Sequence, residues 1–208
     1  MTKVIGLLGG VGAGKSTVAG MLKGLGASVH DADAAVRRAW EDPEVLREAT
    51  ALLGPDILDP SGAVDRTRVA ARVFSDPEAL KRLEAFLHPK VGRIRDAWME
   101  AERAKGVEAL VLDIPLLLEA GLASRCDVLL FVEASEAVRE ERLCRDRSWA
   151  AGEASRRQAF QQDLADKRSR AHTVIRNDGA LEDTQRQVRT FWNQHLRTQD
   201  QDKGGVQR

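Results

Sequence analysis

The chain has 208 residues, which is long enough for one domain with a hydrophobic core and an inserted subdomain. Its 32 basic and 32 acidic residues cancel, so net charge gives no argument for nucleic acid or an anionic membrane as a partner. The cysteines, Cys126 and Cys144, lack the spacing of a disulfide framework or zinc site, and we expect both to be buried small apolar residues in a reducing cytosol. No segment approaches the roughly 18 apolar residues of a membrane span. These features predict a cytoplasmic protein.

A glycine-rich motif follows the first apolar run of the chain. Residues 4–8 are typical of a strand, residues 9–16 match the pattern G-x-x-x-x-G-K-[ST], and residues 17–25 are typical of a helix. Glycines permit positive φ angles, which turn successive N–H groups inward to form a nest for phosphate oxygens. The start of the following helix adds a partial positive charge. Residues 9–16, called the phosphate loop below, are therefore predicted to bind a nucleoside triphosphate.

Individual residues of this motif have separate expected roles. Lys15 would bridge the β- and γ-phosphates and stay in contact with the transferred phosphoryl group as negative charge develops on it. Ser16 would hold Mg²⁺, and Thr17 could donate to the α-phosphate. The predicted nucleotide-binding residues are Gly10, Gly12, Ala13, Gly14, Lys15, Ser16 and Thr17.

A short strand at residues 27–33 ends in two aspartates, Asp31 and Asp33. Ligands of open α/β sheets bind at the carboxyl ends of strands. A carboxylate there could orient or deprotonate an acceptor hydroxyl, but helix capping and Mg²⁺ binding are alternatives. The residues alone leave these roles open for Asp33.

The next part of the chain is mainly helical. Residues 34–53 predict a helix broken near Pro43, residues 54–66 a turn-rich connection, and residues 65–104 a helical run that Pro89 should break or kink. Such a block is long for a simple crossover and indicates an inserted subdomain. His88 could contact a ligand or simply end a helix. The expected core positions of the run are Val69, Val73, Leu80, Leu83 and Leu87.

Strands and helices alternate in the rest of the chain. Residues 107–114, 126–134 and 172–177 predict strands, and residues 183–197 a closing helix. Continuous apolar runs are typical of parallel strands buried on both faces. The sequence therefore predicts a three-layer α/β fold with a mainly parallel sheet. Asp113, at the end of one strand, could either serve Mg²⁺ or have a structural role.

Residues 135–170 are highly charged and predicted to be helical. Their arginines could form a solvated helix face or a mobile lid over the triphosphate. Arg142 and Arg145 lie three residues apart, as do Arg139 and Arg142, so each pair shares one helix face.

An ordered set of segments resembles the dephospho-coenzyme A kinase family. The resemblance covers about residues 3–180. The segments are IGLLGGVGAGKSTVA, GASVHDAD, GAVDRTRVAARVF, LEAFLHP, LDIPLLLEAGL, RLCRDR and ADKRSRAHTVIRNDG. The phosphate loop alone would not choose a family, whereas this ordered set is far more selective.

The resemblance implies ATP-dependent phosphorylation of the ribose 3′-hydroxyl of dephospho-coenzyme A, the last step of coenzyme A synthesis, with ATP and Mg²⁺. It implies a P-loop kinase fold with a helical acceptor-binding insertion and a helical lid. The expected catalytic residues are Asp33 as base, Lys15 and Arg142. The resemblance further implies Arg145 and Asn177 on the nucleotide, with Gln161 nearby, Asp33 and His88 on the acceptor, and Ser16 and Asp113 on the metal.

This comparison also suggests a division of the single domain. The core would comprise residues 1–33, 106–134 and 171–197, the acceptor-binding subdomain residues 34–105, the lid residues 135–170 and a frayed tail residues 198–208. Three departures from the family pattern are His30 in place of an aliphatic residue, Val64 in place of leucine before Asp65 and Arg66, and an apparent extra residue in the lid. Because of the extra residue, the resemblance does not identify which lid arginine matches which position of the family pattern.

Two other functions compete with this reading. A kinase of another small acceptor, such as a nucleotide or sugar acid, would share the phosphate loop and lid. A nucleotide-dependent switch or binding protein is disfavoured, because no NKxD-type motif follows a late strand and because Lys15, Ser16 and Asp33 are all present. We expect no nucleic acid or membrane partner, and a monomer or weak homo-oligomer.

Overall fold

The computed structural model describes residues 1–74, 76–147 and 163–196. In chain order these residues form β1 (Lys3–Leu8), α1 (Lys15–Gly24), β2 (Ser28–His30), α2 (Ala32–Trp40), α3 (Pro43–Leu53), α4 (Arg66–Phe74), α5 (Pro77–Ala104), β3 (Ala109–Leu112), β4 (Val128–Glu133), α6 (Glu136–Arg147), α7 (Leu164–Ser169), β5 (Thr173–Arg176) and α8 (Leu181–His195). Short 3₁₀ helices occur at Pro55–Ile57 and Leu122–Arg125. The chain divides into two compact units, Met1–His30 with Glu102–Arg208, and Asp31–Ala101. We call them the sheet unit and the helical unit.

The sheet unit is built on a parallel sheet with the strand order β2-β3-β1-β4-β5. Strand β1 lies between β3 and β4, with Gly6 opposite Leu112 and Leu8 opposite Phe131. The apolar residues of β3 and β4 are buried, as expected for strands covered on both faces. The predicted α/β fold with a parallel sheet is confirmed. Because the strands are parallel, the segments that follow β1, β3 and β4 leave the sheet at one edge.

Helices α1 and α8 pack on the core of the sheet unit. Val18 and Leu22 of α1 and Val188, Phe191 and Trp192 of α8 belong to one buried cluster with residues of β1 and β4. Burial of several large apolar side chains contributes roughly 1.5–3 kcal/mol each relative to exposure. This packing fixes the start of α1 at the end of β1, where the phosphate loop lies.

The helical unit has its own core. Ala49, Leu53, Ile57, Val69 and Leu83 pack together there. The connection between α3 and α4 is tied by Arg68, which donates to the carbonyl groups of Asp56 and Leu58 at 3.0 Å each. Helix α2 ends at Trp40 and α3 begins at Pro43, where the sequence predicts the break.

The predicted break at Pro89 does not occur, because α5 continues through it and buries Leu83 and Met99 on either side, which outweighs one lost backbone hydrogen bond. Three further local expectations are wrong. Leu80 is 38% exposed rather than in the core. Cys144 is exposed on α6, and Cys126 is only partly buried; both are free thiols.

In the part of the chain that the structure describes, no helix is both long and apolar enough to cross a membrane. The predicted tail, residues 198–208, lies outside the described residues, as do residues 148–162 of the predicted lid.

Candidate active site

The phosphate loop has the backbone conformation that its glycines predict. Gly9, Gly12 and Gly14 have φ angles of 143°, 79° and 90°. At Gly9 a Cβ atom would lie 2.5 Å from the carbonyl oxygen of Val132, so both conformation and space demand glycine there. Helix α1 begins directly after Gly14, with no side-chain cap and no acidic residue in its first turn. The positive end of the helix is therefore available to an anion.

Lys15 places its ammonium group against the phosphate loop. Its Nζ donates to the carbonyl oxygens of Gly9 at 2.9 Å and Gly10 at 3.1 Å. A cation, the amide groups of a curved loop and a helix N-terminus thus meet in one place. This combination matches the charge and geometry of a polyphosphate.

Ser16 and Asp113 bring two oxygen ligands together at the same edge of the sheet. The Ser16 hydroxyl donates to Oδ2 of Asp113 at 3.2 Å. Asp113 follows β3 as the phosphate loop follows the neighbouring β1, which explains their proximity. Within residues 1–74, 76–147 and 163–196, no group of three or more His, Cys, Asp and Glu side chains could hold a metal ion. A pair of hard oxygen donors beside a phosphate site fits Mg²⁺, which takes its other ligands from phosphates and water.

Helix α6 packs against the phosphate loop through Arg139, Arg142 and Leu143. Nη2 of Arg142 donates to the carbonyl oxygen of Asn177 at 2.8 Å, and Nη1 of Arg139 approaches the carbonyl oxygen of Val11 at 3.4 Å. Arg142 Nη1 is buried without a hydrogen-bond partner among the described residues. It lies 3.7 Å from the position of a Cβ built on Gly14. Arg142 therefore offers a spare charged donor beside the loop.

Arg145 has a different environment from Arg142. Its side chain is 64% exposed and lies 3.9 Å from a carboxylate oxygen of Glu141. The spacing of three residues predicts one shared helix face, and of the two it is Arg142 that donates to the turn after β5. Gln161 lies outside the described residues.

The turn after β5 joins several elements around the phosphate loop. Asn177 is 4% exposed; its Nδ2 donates to the carbonyl oxygen of Ala13 at 2.8 Å, and its Oδ1 accepts from the Thr184 hydroxyl at 2.9 Å. Asp178 Oδ1 accepts from the backbone N–H of Ser135, just before α6, at 2.6 Å. Sequence reasoning missed Thr184 and Asp178. For Thr184 a signal was available: it is a polar residue on the apolar helix face that continues through Val188 and Phe191.

Asp33 and His88 belong to the helical unit. Asp31 caps α2 by accepting from the N–H of Ala34 at 2.8 Å, and it lies 3.6 Å from Arg37. Asp33 is exposed in the first turn of α2, and its carboxylate accepts no hydrogen bond within the described part of the chain. His88 is exposed on α5. The capping role thus falls to Asp31, and the roles of Asp33 as base and His88 as acceptor contact stay predictions.

One ion-pair cluster of the helical unit shifts several pKa values. Lys90 of α5 contacts Asp42 at 3.0 Å and also Glu44, two residues at the start of α3. Hydrogen bonding from Lys90 lowers the pKa of both carboxyl groups, and the same contacts, that with Glu44 first, raise the pKa of Lys90. The cluster joins the middle of α5 to the N-terminus of α3.

Comparisons with known proteins agree with this geometry. Residues 3–183 match the family model described as dephospho-CoA kinase. A dephospho-CoA kinase of Geobacillus kaustophilus is 42% identical over 191 residues, covering 90% of this chain and 94% of that protein. One from Deinococcus radiodurans is 42% identical over 178 residues, covering 86% of this chain and 85% of that protein.

Solved structures show the same architecture. The crystal structure of TT1252 from Thermus thermophilus is 36% identical, with a TM-score of 0.79 over 93% of this chain and 98% of that one. A dephospho-CoA kinase from Campylobacter jejuni, 21% identical, shares the fold with a TM-score of 0.72 over 95% of this chain and 98% of that one. With its phosphate loop, parallel sheet and family match over most of its length, this chain belongs to the dephospho-CoA kinase family and is a kinase of the α/β P-loop fold.

Proposed function

We propose that this protein transfers the γ-phosphoryl group of ATP to the ribose 3′-hydroxyl of dephospho-coenzyme A, giving coenzyme A and ADP in the cytoplasm. The observation that carries the proposal is the Lys15 ammonium held at the glycine-rich loop of a chain whose family match spans residues 3–183. The match includes both units, so it covers the helical unit as well as the nucleotide-binding one. A kinase of a different small acceptor is disfavoured, because the family match includes the helical unit, to which we assign the acceptor contacts.

The sheet unit supplies the groups that bind the donor. Lys15 would leave the carbonyl groups of Gly9 and Gly10 and donate to the β- and γ-phosphate oxygens. The spare Nη1 of Arg142 would donate to a phosphate oxygen, so that charge developing on the transferred group meets a fixed cation. When bound, Mg²⁺ would neutralise phosphate charge, and Ser16 and Asp113 are the residues that would hold it.

The helical unit supplies the proposed acceptor groups. Asp33 would accept the proton of the 3′-hydroxyl as its oxygen attacks the γ-phosphorus, and the bond from that phosphorus to the bridging oxygen of ADP would break. The carboxylate of Asp33 is exposed and has no hydrogen-bond donor among the described residues, which supports this role because Asp31 is the residue that caps α2. His88 would contact the acceptor.

In the sheet unit, Arg145 would join Arg142 in a lid over ATP.

An acceptor-dependence assay tests the proposal. The protein is mixed with ATP, Mg²⁺ and dephospho-coenzyme A, and ADP and coenzyme A are quantified together. We expect equal amounts of both products, and no ADP above background when coenzyme A, whose 3′-hydroxyl is already phosphorylated, replaces the acceptor. ADP release that is independent of the acceptor, or faster turnover of another small hydroxyl compound, would contradict the assignment. We expect a monomer or weak homo-oligomer in sedimentation.

A further inference from the structure

We propose that Thr184 is a positioning residue for ATP binding: its hydroxyl fixes the Asn177 amide, which in turn anchors the Ala13 carbonyl of the phosphate loop. The inference rests on the proposed function for its kinetic readout, whereas its binding readout needs only ATP. Thr184 does not itself touch the nucleotide in this proposal.

The hydrogen-bond chain has only one consistent direction. The carbonyl oxygen of Ala13 can only accept, so the group of Asn177 that lies 2.8 Å from it must be the Nδ2 amide. Oδ1 then faces Thr184, and the hydroxyl at 2.9 Å must donate to it. Thr184 is fully buried and Asn177 nearly so, which makes a missing partner costly. The Ala13 carbonyl therefore sets the orientation of the amide, and the Thr184 hydroxyl holds the amide in that orientation by donating to Oδ1.

The anchored carbonyl determines where the loop directs its amide groups. In a trans peptide the C=O of one residue and the N–H of the next point in opposite directions. Anchoring the Ala13 carbonyl to Asn177 on one side therefore directs the Gly14 N–H to the other. A Cβ on Gly14 would lie 2.2 Å from Nδ2 of Asn177, so the amide packs directly under this peptide. We infer that the Asn177 amide turns the Gly14 N–H towards the bound phosphate.

Asn177 also links the loop to Arg142 of α6. Its main-chain carbonyl oxygen accepts from Nη2 of Arg142 at 2.8 Å, and its main-chain N–H donates to the carbonyl oxygen of Glu133 at 2.8 Å. Loss of the Thr184 hydroxyl would thus disturb a residue that contacts both the loop and Arg142. ATP binding should be affected, and acceptor binding should not.

A set of variants at two threonines of α8 tests the inference. Thr184→Val keeps the shape and removes the hydroxyl, whereas Thr184→Ser keeps the hydroxyl and removes the methyl group. Thr190→Val is the matched control, because Thr190 is exposed on the same helix and donates to the Arg186 carbonyl oxygen of that helix at 3.0 Å. The readouts are the Kd of ATP by calorimetry, KM and kcat for both substrates, and Tm.

We expect Thr184→Val to raise the Kd and KM of ATP about tenfold, with the KM of dephospho-coenzyme A within about twofold of wild type. Thr184→Ser should stay within about threefold for ATP, and Thr190→Val should match wild type. Where Thr184→Val fails to fold, Thr184→Ser and Thr184→Ala decide, because both lose the methyl group and only alanine loses the hydroxyl.

Two results would overturn the inference. One is a hydroxyl-free variant with wild-type ATP affinity and a lowered Tm, which would show a merely structural role. The other is a serine variant as impaired in ATP binding as the valine or alanine variant. A wild-type protein that binds ATP but does not phosphorylate dephospho-coenzyme A would refute the proposed function, and the ATP affinities of the variants would still decide the role of Thr184.

Discussion

The Ser16 hydroxyl donates to Oδ2 of Asp113 at 3.2 Å, although the two residues lie 97 positions apart in the chain. The contact follows from sheet topology, because β1 and β3 are parallel neighbours whose following segments leave the same edge. Ser16 lies in the first turn of α1 and Asp113 directly follows β3, so two rigid elements set the distance between the oxygens.

Asp113→Asn should weaken the use of Mg²⁺. The amide keeps the size of the carboxylate but removes its charge, so the Mg²⁺ concentration for half-maximal rate should rise about tenfold or more. Titration of Mg²⁺ at saturating ATP measures this effect, and ATP affinity in EDTA serves as the control and should be unchanged. An unaltered Mg²⁺ requirement would show that Asp113 has only a structural role.

Lys15→Met should impair both nucleotide binding and turnover. Methionine retains the aliphatic stem but loses the ammonium that meets the Gly9 and Gly10 carbonyls, and kcat/KM for ATP should fall about a hundredfold or more. Lys23→Met, in the last turn of the same helix, is the control and should behave like wild type. Retention of ATP affinity by Lys15→Met would count against the assignment of the loop.

Asp33→Asn should separate binding from chemistry. ATP affinity should stay within a few-fold while kcat falls by about a hundredfold or more, the scale expected for lost general-base assistance. Asp31→Asn is the matched control, because asparagine caps helices as well as aspartate and the exposed contact with Arg37 contributes little. Near wild-type turnover in Asp33→Asn would refute the base assignment.

The Lys90 cluster should give the helical unit a pH-dependent stability. The native pKa values of Asp42 and Glu44 are lowered, so the unfolded state binds more protons, and the stabilisation is present above about pH 4.5 and is lost as pH falls through the native values. The raised pKa of Lys90 affects stability at alkaline pH. Its stabilisation is fully present below the usual pKa of lysine and is lost as the pH rises through the native pKa of Lys90.

Urea unfolding between pH 2 and 7 would measure this dependence. Lys90→Met should flatten the acidic part of the stability curve, whereas Lys81→Met, an exposed lysine of the same helix, should leave it unchanged. Parallel curves for wild type and Lys90→Met would exclude the cluster as the cause.

The sequence was sufficient to predict the sheet and the phosphate loop because both depend on local patterns. Apolar runs identify β3 and β4, and the glycine spacing requires the positive φ angles that Gly9, Gly12 and Gly14 adopt. The sequence left Asp113 open between a role with Mg²⁺ and a structural one, and its contact with Ser16 is explained by the parallel neighbours β1 and β3 of the observed sheet.

Other features depend on partners that are distant in sequence. Pro89 disfavours a helix locally, but the packing of α5 overrides that preference. The same limit applies to Thr184, whose hydroxyl has a role only because Asn177 and Ala13 meet it in space. Asp31 and Asp33 are identical in type, and only the observed cap distinguishes them.

The contacts of Lys15 have a consequence for the thermodynamics of nucleotide capture. Its ammonium donates to the carbonyl oxygens of Gly9 and Gly10, so this one side chain holds the curve of the loop. Binding of ATP would then be an exchange of acceptors on one cation, and a loop held in shape by its own lysine would lose little conformational entropy.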